Sequence, residues 1–258
     1  MGIRIAVITQ PEQPLFMARL PRLYAPHIPQ LVQAEFAYPL AGPSDPAPAA
    51  ELDRLLGWLH QDSRDLGVAV HGWVLMNDRL TLLNTPPDAQ SLSRLIQSLG
   101  RRMATGMRHG RVFNGRYRSA LVEPGRWVIP ALIWLESLPV TMHYVDKAES
   151  WPWSSAPGHT GANTRNDVIV TDHMDYWQDG NTPFARQATY RERMHQGLSA
   201  AQRLRIEQAL FGQWVLGEAP FLAKLESSAS RRTAPAPRGR PRKSTASENK
   251  NALPEQGA

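Results

Sequence analysis

Two arginine-bearing stretches carry the residue types best suited to a specific chemistry. Arg101 and Arg102 form one, and Arg116, Tyr117 and Arg118 form the other. Guanidinium groups beside an aromatic ring suit single-stranded nucleic acid, because arginine contacts phosphate while the ring stacks on a base. The plainer reading is a solvated charged face. A third stretch, PRGRPRKS from Pro237 to Ser244, looks like an AT-hook. Gly239 and Pro241 favour a narrow, extended backbone around Arg240. With Arg238, Arg242 and Lys243 it suits the minor groove of A·T-rich DNA, or phosphate contacts without sequence preference. Metal chemistry finds little support. There is no cysteine, and the eight histidines show no HxH, HxxH or HExxH spacing.

The elements that position these residues follow from hydrophobic spacing. Leu52, Leu55, Leu56 and Leu59 predict a helix over 51–66, ended by Gly67. Val68 to Met76 reads as a strand, and Leu80 to Leu83 as a second, shorter one. Arg79 and Thr81 flank Leu80, so on a strand both point to one face. A stripe of Leu92, Leu95, Ile96, Leu99 and Met103 predicts a helix over 91–109. A strand follows over 117–122, then a helix over 126–138 in which Pro130 must lie in the first turn or kink it. WPWSS, from Trp151, reads as an aromatic-rich turn, and 156–182 show little periodicity. Helices are predicted over 187–195, 200–211 and 219–225. The order helix, strand, strand, helix, strand, helix indicates an α+β domain with an antiparallel sheet.

Composition narrows the partner. Hydrophobic residues make up 42% of the 258, enough for a core. No apolar run reaches the roughly 18 residues of a membrane span, and the first residues are too weakly apolar for a secretory signal, so a cytoplasmic protein is expected. The net charge is +6, and six basic residues without an acid fall between Ser230 and Lys243. A basic tail on a balanced body suggests a polyanion.

Three ordered segments then narrow the reading: MARLPRL from Met17, HGWVLMNDRLTLLNTP from His71 to Pro86, and GRYRSALVEPGRWVIPALIWLESLPV from Gly115 to Val140 with the following WPWSS. VLGEAPFLAKLE, from Val215 to Glu226, and the terminal RGRPRK add to them. Together they resemble the REP-associated tyrosine transposases, single-tyrosine HUH enzymes of bacterial insertion sequences. The resemblance implies a ferredoxin-like antiparallel sheet with packed helices, a helical C-terminal extension and a disordered basic tail. It divides the chain into an N-terminal extension over 1–16, a transposase-like domain over 17–155, the extension over 156–227 and the tail over 228–258. Met17 is a credible translation start, and the segment before GRYRS is shorter than in family members.

The family's chemistry uses two histidines around one hydrophobic residue to hold a divalent cation, and a tyrosine that attacks the scissile phosphate. This chain departs from both. Where family members read MPNHVHLL, residues 76–83 read MNDRLTLL, so the histidine positions match Arg79 and Thr81. Trp134 matches the nucleophile. Arginine cannot ligate a cation, threonine offers one neutral oxygen, and tryptophan has no nucleophilic oxygen. Arg79 could place a fixed charge against a phosphate, although a strand residue with no role is preferred. Asp78 and Glu136 could pair around Mg²⁺, although an ordinary turn aspartate and helix glutamate are preferred. His71 reads as structural, and Tyr117 as packing or DNA contact.

The sequence thus predicts a DNA-binding, catalytically inactive relative of this family, without a cofactor. Its partner is expected to be a single-stranded hairpin or palindrome, with A·T-rich duplex through the tail. The alternatives are an active transposase using a non-standard site with Mg²⁺ or Mn²⁺, a decayed gene product, and a duplex-binding regulator working through the tail alone.

Overall fold

The structure is a computed structural model that describes residues 22–107, 110–162, 169–226 and 231–235. The first half runs β1 (Gln30–Glu35), α1 (Ala49–Asp65), β2 (Ala69–Leu75), β3 (Arg79–Thr85), α2 (Ser91–Met107) and β4 (Arg118–Leu121). All pairings are antiparallel and the strand order is β2-β3-β1-β4. A β-α-β-β-α-β chain in this order is the ferredoxin-like arrangement. Helices α3 (Val128–Glu136), α4 (Leu138–Thr141), α5 (Ala156–His159), α6 (Met174–Trp177), α7 (Pro183–Gln196), α8 (Ala200–Gly212) and α9 (Ala219–Glu226) follow.

The α+β expectation holds, with one strand unforeseen. β1 is central, bonded to β3 on one side and β4 on the other. A strand covered on both faces does not alternate apolar with polar, and QLVQAE also buries Gln30 and Gln33. Its sequence therefore lacks the period-2 signal.

The sheet has helices on both faces. Register places Gly72, Leu83, Leu31 and Ala120 in one row, with Val74, Thr81, Gln33 and Arg118 beside it on the same face. α3 and α8 cover that face. α3 is apolar almost all round and buried over nearly its whole length, as a helix enclosed by protein must be. Pro130 sits in its first turn, where no intrahelical donor is missed. α1 and α2 pack together on the opposite face, where Tyr117 meets Ser93 of α2. The edge of β2 is closed by neighbouring backbone: Leu75 N–H donates to Trp153 O (2.8 Å), Ser155 N–H to Trp73 O (2.9 Å) and Thr171 N–H to Val70 O (2.7 Å). This covers a row of groups that would otherwise recruit another strand.

α3 approaches β2 at Gly72, where a Cβ would stand 2.3 Å from Leu132 Cδ2 and 3.3 Å from Ser155 Oγ. Gly72→Ala is expected to destabilise the protein by about 1–3 kcal/mol through overpacking. Urea unfolding at neutral pH measures it.

Residues 231–235 belong to the segment read from composition as a disordered tail over 228–258. Val215 N–H donates to Thr233 O (2.9 Å), the buried Thr233 hydroxyl donates to Glu226 (3.0 Å), and Arg231 donates to Gln213 O. A satisfied, buried hydroxyl and a backbone bond hold these residues locally, although composition reads as a linker. The extension over 1–16, Met17, Arg238, Arg240, Arg242 and Lys243 lie outside the described residues.

Candidate functional site

The candidate site is built on β3 and its neighbours at the end of the sheet that carries the β2–β3 turn. Arg79 opens β3 and is clamped by Asp78. Its Nε donates to Oδ1 (3.0 Å) and its Nη2 to Oδ2 (2.6 Å). The hydrogen bonds it donates to Asp78 hold the guanidinium above the ordinary arginine range. Its charge is therefore largely answered within the turn. Burial and the Asp78 carboxylate push the nearby Tyr144 phenol up.

Two residues on, Thr81 has no exposed surface and accepts a long hydrogen bond from Gln33 Nε2 (3.4 Å). Trp134 is buried on α3, its indole N–H reaching Glu207 of α8 at 3.5 Å. The cation implied by the resemblance does not fit here. One position carries a permanent cation and the other a single buried neutral oxygen.

Across the same row lies a different chemistry. Arg118 pairs with Gln33 in register, and Gln33 pairs with Thr81. The Arg118 guanidinium stands 5.2 Å from the ring centroid of Phe211, at the end of α8. Phe211 remains 42% exposed, and among the described residues no carboxylate pairs with Arg118. An uncompensated guanidinium beside an exposed ring can bind a phosphate and stack on a base.

The other arginine-rich residues do not join one surface. Arg102 is tied to the buried Asp62 (2.9 Å) and to Gln61 (3.2 Å), where it links α2 to α1. Tyr117 is buried, bonds Ser93 (2.9 Å) and has the Arg22 guanidinium 3.5 Å above its ring. The Arg22 guanidinium therefore covers one face of that ring. Arg101 and Arg116 are exposed on separate elements. Arg238, Arg240, Arg242 and Lys243 lie outside the described residues.

Asp78 and Glu136 are not brought together. Glu136 has no exposed surface and accepts from Ser155 Oγ (2.5 Å), His159 Nδ1 (2.6 Å) and Tyr190 OH (2.8 Å). Tyr176 OH donates to His159 O (2.9 Å), and its ring packs against those of His159 and Tyr190. Burial pushes the Tyr190 phenol well up, and the Glu136 carboxylate adds to this. The one carboxylate on an apolar helix was the available signal for this hub. Its partners sit in segments of little or remote periodicity. Among the described residues, no three acidic or histidine side chains are placed to hold a metal.

His71 is the extra residue of a β-bulge, since Val70 pairs with Asn84 and Gly72 with Leu83. Its Nδ1 lies 2.7 Å from Thr171 O and its Nε2 2.8 Å from Thr85 Oγ1. A carbonyl only accepts, so Nδ1 carries the proton of the neutral ring and Nε2 accepts from Thr85.

No protein-family model and no curated protein matches this chain. Among solved structures it is similar to a REP-associated tyrosine transposase bound to a REP hairpin, at 12% sequence identity and a TM-score of 0.49, over 61% of this chain and 93% of that one.

Proposed function

We propose that this protein binds a single DNA strand, folded as a hairpin or imperfect palindrome, and does not cut it. The observation that carries the reading is the half-buried Arg118 against the exposed ring of Phe211, in the same register row as Thr81. The family motifs in the sequence direct attention to this end of the sheet. The residues at the motif positions supply neither a cation site nor a nucleophile, while their neighbours supply charge and an aromatic face. The tail arginines Arg238, Arg240 and Arg242, with Lys243, add phosphate or minor-groove contacts to flanking duplex.

Phe211→Ala and Arg118→Ala are each expected to weaken binding of a labelled single strand by about 1–3 kcal/mol, roughly 5- to 150-fold. Arg79→Ala is expected to change it by less than about threefold, because Asp78 already answers its charge. Fluorescence anisotropy at fixed salt measures all three. Equal, negligible effects at Arg118 and Phe211 would remove the basis for this site.

A further inference from the structure

A second opening lies at the same end of the sheet, towards the face covered by α1 and α2. The chain leaving β1 crosses the β2–β3 turn and is bonded to it. Phe36 N–H donates to Asp78 O and Leu40 N–H to Asn77 O, both at 2.8 Å. The Asn77 side chain accepts from Ala41 N (2.9 Å) and donates to Ala41 O (3.0 Å). Between this strap and helices α1 and α2 is a pocket of 260 Å³. Phe36, Leu40 and Met103 give it an apolar floor. Its rim carries Glu51, Arg54, Arg111 and Tyr38, a residue 64% exposed. Arg54 has no acidic partner among the described residues, and Arg111 bonds back to Phe113 O (3.2 Å) in its own loop.

We propose that this pocket holds one unpaired nucleobase with its phosphate, an inference that rests on the strand-binding reading above. The volume falls below the roughly 300 Å³ at which drug-sized sites begin, which suits one planar ring system. The apolar floor and the Tyr38 ring offer faces for stacking. Arg54 offers a charge-assisted contact to the phosphate. The rim's two arginines outweigh its one glutamate, which complements a polyanion. Glu51 gives the pocket its selectivity. An ionised carboxylate only accepts, so it takes the exocyclic amino group of adenine, cytosine or guanine, whereas the one donor of thymine, its N3–H, stands between two carbonyl oxygens that repel the carboxylate. The strap also ties the pocket to the turn that clamps Arg79. One strand can therefore pass from the Arg118–Phe211 face round the sheet end to the pocket.

The test titrates the full chain with dAMP, dCMP and dTMP, and in parallel with a hairpin-forming strand. Wild type is expected to bind dAMP and dCMP at least about fivefold tighter than dTMP. Tyr38→Ala and Arg54→Ala are expected to weaken dAMP binding about tenfold. Glu51→Gln is expected to erase the discrimination against dTMP. These are exposed or half-exposed side chains, and the variants are expected to fold. Strand binding by wild type, with no nucleotide binding and no effect of Tyr38→Ala, overturns the pocket and leaves the strand reading intact. Nucleotide binding that follows the variants as stated, with no strand bound, supports the pocket and overturns the strand reading.

Discussion

Glu136→Ala is expected to cost the fold about 3–5 kcal/mol, the range for removing one partner from a buried charged network. The loss has three parts. Ser155, His159 and Tyr190 each lose an acceptor in a site closed to water. α3 loses the attachment of its last turn to α5 and α7. The same helix covers Gly72 and carries Trp134, so the damage reaches the candidate site. Tyr190→Phe removes one donor and is expected to cost only about 1–2 kcal/mol. Urea unfolding of both variants at pH 7 measures the difference. An alanine variant no weaker than the phenylalanine one would mean that the carboxylate does not organise this part of the core.

Acid is expected to weaken the protein through His71. Burial lowers its pKa from 6.5 to about 4, with its edge against His173 acting in the same direction and the bond to Thr171 opposing. The folded state thus binds fewer protons than the unfolded state between these values. Stability is complete above pH 6.5 and falls as the pH drops through the window to about 4. The total is about 3 kcal/mol. A protonated ring must also give up the acceptor role of Nε2 towards Thr85. Denaturant midpoints from pH 7 to 4.5 should show the loss in wild type. His71→Gln, less stable at pH 7, should show a much flatter profile. Equal slopes would assign the acid sensitivity elsewhere.

Some of this architecture could be read from residue spacing. The stripe Leu92, Leu95, Ile96, Leu99 and Met103 gives α2, and the β-branched run before Met76 gives β2. β1 escapes because it is buried on both faces and carries two glutamines inside the core. That omission governs how much of the site could be read. Period 2 places Arg79 and Thr81 on one face without further information. It also separates Tyr117 from Arg118, since neighbours on a strand point to opposite faces. The triplet Arg116-Tyr117-Arg118 therefore cannot act as one patch, although its composition suggests that it does. Arg118 reaches the row of Thr81 only through Gln33, a residue of the unread strand. Phe211 reads locally as a helix end, and its position beside Arg118 is a tertiary fact. Glu136 stands out as a lone carboxylate on an apolar helix, but its partners come from residues 155–190, where spacing carries little information.

The most direct test of the central claim uses labelled single strands able to fold as hairpins, incubated with the full chain and Mg²⁺ or Mn²⁺. Half of each sample is run on a native gel and half on a denaturing gel. A native shift is expected, with the strand intact and free of protein after denaturation. A cleaved strand, or an adduct that survives denaturation, would contradict this and require a nucleophile at a position other than 134. The absence of any shift would contradict the binding site at Arg118 and Phe211.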